Sequence, residues 1–221
     1  KKYCLVFSSL LLLPSTQHAL AASTVDLTVK GRITPTACTP RLSSGGLIDY
    51  GKISQQDLNV DRGTRLPIKY LQVSIACNAP SRFALRMRDN RDGTATVNSE
   101  IYYGLGLDHS GNRLGLYSMS FDPRHTQVDS TTTAYGTEST TGGVAWRTSN
   151  LNPIDIGANS YLGFTDTQGS VAGPSAIQEL ISTVNVAAVI NARQNLDLST
   201  DTLLDGSATL VGLVRALVGA G

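Results

Sequence analysis

Apolar and polar residues alternate one for one in segment after segment of this chain, and that period fixes the fold class. Leu71, Val73, Ile75 and Cys77 are separated by Gln72, Ser74 and Ala76, and Val184, Val186, Ala188 and Ile190 keep the same spacing. A period of two sends alternate side chains to opposite faces, so each segment predicts a strand with one buried face. Val25, Leu27 and Val29, followed by Gly31 and Ile33, repeat the pattern as far as Pro35. Phe83, Leu85 and Met87 alternate with Ala84, Arg86 and Arg88, which turns the arginines toward solvent. Asn78-Ala79-Pro80 and Asp89-Asn90-Arg91-Asp92-Gly93 read as stops and turns between these runs. Tyr103, Leu105 and Leu107 lead into Asp108-His109-Ser110-Gly111-Asn112. Leu114 to Phe121 leads out, with Tyr117, Met119 and Phe121 on one face, a hairpin pattern. Shorter strand candidates are Leu47 to Ile53, Val144 with Trp146, Tyr161 to Thr165, and Ala208 onward after the Asp201–Gly206 turn. No amphipathic helix longer than two turns and no fixed-period repeat interrupts the series. Short strands punctuated by turns predict an all-β sandwich.

Two stretches break the alternation. Residues 122–143 are rich in Thr, Ser and Gly and nearly free of aliphatic side chains, and Gln168 to Ser175 is similar. Little apolar surface offsets the entropy of ordering them, so a long exposed loop is expected near 122–143.

The N-terminus reads as a targeting segment. Lys1-Lys2 precedes a mostly apolar run from Leu5 to Leu13, then Pro14 and Ala19-Leu20-Ala21. That order is the pattern of a secretory signal peptide, which assigns 1–21 to the signal and 22–221 to a single mature domain. The apolar run falls far short of the roughly 20 residues that span a bilayer. Cys4 belongs to the signal, leaving Cys38 and Cys77 as an even pair in a chain bound for an oxidising compartment, so a Cys38–Cys77 disulfide is expected.

Charged residues make up 16% of the chain and the net charge is +1, so nucleic acid is not an expected partner. Beyond the signal the histidines are His109 and His125, each beside a turn or loop. No nucleophile elbow, phosphate loop or HExxH pattern is present. Asp89, Asn90 and Asp92 lack the spacing of an EF-hand loop. No catalytic residue, metal site or cofactor is expected. Trp146 with Tyr135 has two readings: a sugar-stacking surface, or a core tryptophan packed near the disulfide.

Three segments together resemble chaperone–usher pilin subunits, in a divergent fimbria-like branch. Val29-Lys30-Gly31-Arg32-Ile33-Thr34-Pro35-Thr36-Ala37-Cys38 looks like the pilin opening strand running into its first cysteine. Leu71 to Cys77 looks like the strand bearing the second, and Leu204-Asp205-Gly206-Ser207-Ala208-Thr209-Leu210 resembles the turn into the final strand. The resemblance implies an immunoglobulin-like sandwich that lacks its last strand and is open to a donated one. The groove would be filled first by a periplasmic pilus chaperone and then, after passage through an outer-membrane usher, by the next fimbrial subunit. Val25, Leu27 and Val29 are the candidate donor or edge strand. Two departures stand out. Eight residues, 22–29, precede Lys30, fewer than pilins carry, which favours a tip or terminal position. The tail from Leu210 to Gly221 is apolar where pilins end sooner. The expected function is a structural subunit of a fimbria, exported to the periplasm and then to the cell surface. The competing expectation is a free or tip-located sandwich module that recognises a glycan. A secreted hydrolase is the third.

Overall fold

The computed structural model describes residues 37–131 and 133–214. Val25, Leu27 and Val29, and the expected signal segment, lie outside the described residues. The described chain is all-β: two antiparallel sheets in an open sandwich-like arrangement, with three short 3-10 turns at Ser43–Gly46, Gln55–Asp57 and Arg193–Asn195. The strands in chain order are β1 (Cys38–Leu42), β2 (Thr64–Arg65), β3 (Lys69–Ser81), β4 (Phe83–Asp89), β5 (Tyr103–Gly104), β6 (Gly115–Val128), β7 (Tyr135–Ser139), β8 (Ile154–Asp155), β9 (Tyr161–Thr165), β10 (Ile177–Ile190) and β11 (Ala208–Val214).

The first sheet runs β1-β3-β10-β6-β5, with β2 also paired to β10 and β8 to β6. The second runs β11-β4-β9-β7. β10 is central because its alternation is the longest: Leu180, Ser182, Val184, Val186, Ala188 and Ile190 are all buried, with more exposed residues between them. The pairing with β6 is interrupted between Ser182 and Val184, where residues 122–125 of β6 stand opposite Thr183 alone, a bulge that bends β6 and sharpens the local twist. β3 and β4 follow their expected alternation, but β3 does not stop at Asn78-Ala79-Pro80 and runs through them to Ser81. Val73, Ile75 and Cys77 face inward from one sheet, and Phe83, Leu85 and Met87 from the other. Leu85, Leu162 and Leu180 are essentially inaccessible, and burial of each contributes about 1.5–3 kcal/mol. Tyr103 and Tyr117 face each other across the expected hairpin, ring centroids 5.3 Å apart. The Tyr103 hydroxyl donates to the Ile156 carbonyl at 2.8 Å.

Three further expectations need correction. Residues 122–143 are not one loop: β6 continues to Val128, and β7 occupies Tyr135–Ser139. Beside Val128 and Ala134, most buried side chains there are polar and hydrogen-bonded, as in the Thr126–Ser182 hydroxyl pair at 2.7 Å. Residues 47–53 are not a strand, although Ile48 and Tyr50 pack against the core. Gly51 sits at φ +65°, a left-handed conformation that ends extended pairing. Val144 and Trp146 lie in a turn-rich loop rather than a strand.

Candidate functional site

The two cysteines expected to pair are bonded. Cys38 and Cys77 are directly opposed in the β1–β3 ladder and form a disulfide. The bond ties the edge strand β1 to the body of the first sheet. β1 ends its sheet, β11 ends the other, and these two edge strands approach each other.

Among the described residues nothing closes the sandwich between them. A cleft of about 270 Å³ enters from that side and reaches the interior. Its floor is buried and apolar, with Val73, Phe121 and Val186 from the first sheet and Met87 from the second. Its rim is the segment Leu42–Tyr50 on one side, with Leu47 70% exposed, and Leu204 to Leu210 on the other. Among the described residues, β11 is paired along one edge only, to β4.

One polar atom in this cleft is out of place. The Tyr50 hydroxyl is buried and has no hydrogen-bond partner among the described residues. Burial pushes its pKa up, so the phenol stays protonated. The ring is held beneath Lys69, whose Nζ lies 5.7 Å from the ring centroid, a cation–π contact. A buried donor left unpaired costs about 1–3 kcal/mol. Tyr117, also in the cleft, has its phenol pushed well above the usual range by burial, with the Asp89 charge adding to it.

A second cleft, of about 520 Å³, lies beside the second sheet. Trp146 lines it, half-buried, with Tyr161, Arg82, Ala84, Pro174 and Leu213. The indole is seated on glycines. A Cβ on Gly173, which sits at φ +84°, would fall 2.7 Å from Trp146 Nε1, and one on Gly163 would fall 3.1 Å from the ring. The indole N–H donates to the Gly143 carbonyl at 3.1 Å. Trp146 is therefore outside the buried core cluster. Tyr135 begins β7, half-buried, and does not line this cleft.

Several titratable groups hold loops and strands in place. Asp89 accepts from the Arg91 and Gly104 amides. His125 lies in β6, exposed, 3.4 Å from Asp122. Asp108 is buried. Desolvation alone would raise its pKa, but hydrogen bonds from the Asp197, Asn112 and Ser110 amides and the Asn112 side chain outweigh it and lower the pKa. Asp197 is pulled down to about 2 by the Ser110 and Ser199 hydroxyls and the Ser199 amide. Together these carboxylates staple the 108–112 hairpin loop to the segment from residue 197 onward. No group of His, Cys, Asp and Glu suited to a metal occurs among the described residues.

The family model described as a protein of unknown function, DUF1120, matches residues 27–147. The chain belongs to the DUF1120 family. The matched span includes both cysteines, β4 and Trp146, and stops before β10 and β11. The protein GltF of Escherichia coli (strain K12) is 30% identical over 128 residues, covering 47% of this chain and 50% of GltF. This chain thus spans half the length of that relative. The uncharacterized protein YhcF of the same organism is 24% identical over 220 residues, covering 87% of this chain and 91% of YhcF.

The apolar cleft was hidden from the sequence, because its wall is assembled from seven separated segments. The only local signal was Leu47, Ile48 and Tyr50, three large side chains in a stretch too short and too glycine-rich to pair.

Proposed function

We propose that this protein is a structural subunit of a fimbria, joined to its neighbours when a strand from another chain fills the apolar cleft beside β11. The observation that carries the reading is the sandwich left unclosed among the described residues: an apolar cleft reaching the core, next to a strand that no described residue pairs on one edge. An extended segment laid there adds main-chain hydrogen bonds and places alternate side chains into the cleft. Left dry, about 270 Å³ of lost packing costs at most about 6 kcal/mol at roughly 24 cal/mol per Å³. That is comparable to the whole stability of an ordinary domain, about 5–15 kcal/mol. Filling the cleft is therefore worth enough to drive assembly. The Tyr50 hydroxyl supports the same reading, since a strand carbonyl would give it the acceptor it lacks. A periplasmic chaperone, an outer-membrane usher and other subunits are the partners this mode requires. The disulfide fits an exported chain.

The test is co-expression of the exported full chain with a pilus chaperone. The complex is expected to co-purify and to melt well above the chain alone. Leu47→Asp changes an already exposed rim residue, so the fold survives while capture falls about tenfold or more. Tyr50→Phe lowers capture about fivefold, the loss of one hydrogen bond of about 1 kcal/mol. A chain that is a stable monomer alone, unmoved by chaperone or by a donor-strand peptide, refutes the reading.

A second reading, a sandwich module that binds a surface glycan, is favoured by the 520 Å³ cleft with Trp146 and Tyr161 in its wall. An exported full chain that binds no sugar polymer removes it.

A further inference from the structure

We infer that the outer face of the second sheet binds an anionic sugar polymer, gripped by a row of arginines on β4 with the Trp146 cleft at its end. The inference rests on the binding-module reading for its ligand class and is independent of strand donation.

The row follows from the strand period. β4 turns Phe83, Leu85 and Met87 into the core, so Arg86 and Arg88 lie on the opposite face, with Arg82 just before the strand. At about 3.3 Å per residue the three guanidinium groups span roughly 20 Å. No acid faces them from the neighbouring strands. β11 sets Val211 beside Arg86 and Thr209 beside Arg88, and β9 sets Tyr161 beside Arg86. The ion pairs among the described residues belong to Arg91, Arg124, His125 and Arg147, and none to this row.

What holds the row is weak. Arg86 Nη2 reaches Asn159 Oδ1 at 3.4 Å, and Arg88 Nη2 reaches Asn90 Oδ1 at 3.5 Å. The Arg86 Nε is sheltered from solvent and has no partner. Three like charges in line repel one another, and here no described residue supplies a counter-charge. Guanidinium groups in this state bind carboxylate, sulfate or phosphate through paired N–H donors.

The cleft adds the sugar. Arg82 lines it with Trp146 and Tyr161, and Tyr161 is also the cross-strand partner of Arg86. Arginine row and aromatic cleft are thus one continuous surface. An aromatic wall accepts the C–H face of a pyranose while the arginines hold its acid groups. A linear polymer with an acid group on each repeat matches a straight row. Nucleic acid is the poorer match. The net charge of +1 gives no long-range pull on a dense polyanion, and the disulfide points to an oxidising, extracytoplasmic compartment.

The experiment uses the oxidised full chain. Trp146 is the only tryptophan, so its emission reports on the cleft. The probes are polygalacturonate for carboxylates, heparin for sulfates, a phosphomannan for phosphates and dextran as the neutral polymer. At least one anionic polymer is expected to shift Trp146 emission and to bind with an affinity that falls steeply from about 50 to about 300 mM salt, while dextran does neither. Replacing Arg82, Arg86 and Arg88 together with Gln is expected to weaken binding at least tenfold. Replacing Lys52, Arg62 and Arg65 with Gln removes the same charge elsewhere and is expected to change it less than twofold. Should the first triple variant fail to fold, the exposed Arg88→Gln alone must weaken binding about threefold. Equal losses in both triple variants, or binding of dextran as strong as of the acids, overturns the inference while leaving sugar binding intact. No binding of any polymer overturns both the inference and the reading beneath it.

Discussion

Removing the Cys38–Cys77 disulfide by Cys38→Ala with Cys77→Ala tests how the edge of the first sheet is held. The bond closes a loop with a sequence separation of 39. On the chain-entropy model, ΔS ≈ −2.1 − 1.5R ln n gives about −13 cal/mol/K, or about 4 kcal/mol at 25 °C. The strand it anchors has little else to hold it. In β1 only Cys38 is even partly buried, and Thr39 to Leu42 are exposed, so its remaining attachment is ladder hydrogen bonds of about 1 kcal/mol net each. Two effects are expected. The urea midpoint, followed by Trp146 emission and circular dichroism, falls by about 2 M for a slope near 2 kcal/mol/M. The amides of β1 lose hydrogen-exchange protection before those of β10, because an edge strand with so little buried surface opens locally. A midpoint within about 0.5 M of the native protein, or equal loss of protection in β1 and β10 without denaturant, refutes the reasoning.

Tyr103→Phe removes the hydroxyl that serves the buried Ile156 carbonyl and should cost about 1–3 kcal/mol in chemical denaturation. Gly173→Ala should cost a similar amount and shift Trp146 emission to the red, since the added carbon collides with the indole. An unshifted spectrum counts against the seat described for Trp146. The pH prediction rests on Asp197, whose folded pKa of about 2 lies below the unfolded value of about 3.9. Its stabilisation is present above about pH 4 and is lost as pH falls from there through the folded value. Melting curves from about pH 6 to pH 2 should show a shallower acid limb for Asp197→Asn than for the native chain.

The sequence carried the fold wherever one face of a strand is buried and apolar. β3, β4, β10 and the Tyr103–Phe121 hairpin are legible because Val73, Leu85, Val186 and Tyr117 recur at period two and each reaches the core. The signal fails where burial is polar. Thr126, Thr137, Ser139 and Ser182 are as buried as the leucines but hydrogen-bonded, so β6 beyond Phe121 and β7 look like loop in a hydropathy pattern. It fails again where apolar side chains pack without a ladder, as Ile48 and Tyr50 do. Of the arginine row, Arg86 and Arg88 follow from alternation alone. That they lack counter-charges follows only from the pairing of β4 with β9 and β11, which no local pattern encodes.

Sheet edges are hazards unless they are shortened, charged, bent or covered, and the four here are not treated alike. β5 is two residues long. β7 is covered by the following loop, with Gly136 and Asn150 exchanging backbone bonds at 2.9 and 3.1 Å and the Arg147 amide donating to the Glu138 carbonyl at 2.9 Å. β1 carries Pro40 and Arg41 and turns at once into a 3-10 turn. β11 has none of these devices. Its seven residues, Ala-Thr-Leu-Val-Gly-Leu-Val, include no charge and no proline, and no described residue pairs its outer edge. Among the described residues three edges are blunted, while the longest apolar one is unpaired beside a cleft that opens to the core. Pairing it satisfies the backbone and fills the cleft in one event. Those two gains arrive together only if the incoming segment is a strand, and this is why the vacancy supports strand donation over a small ligand in the same place.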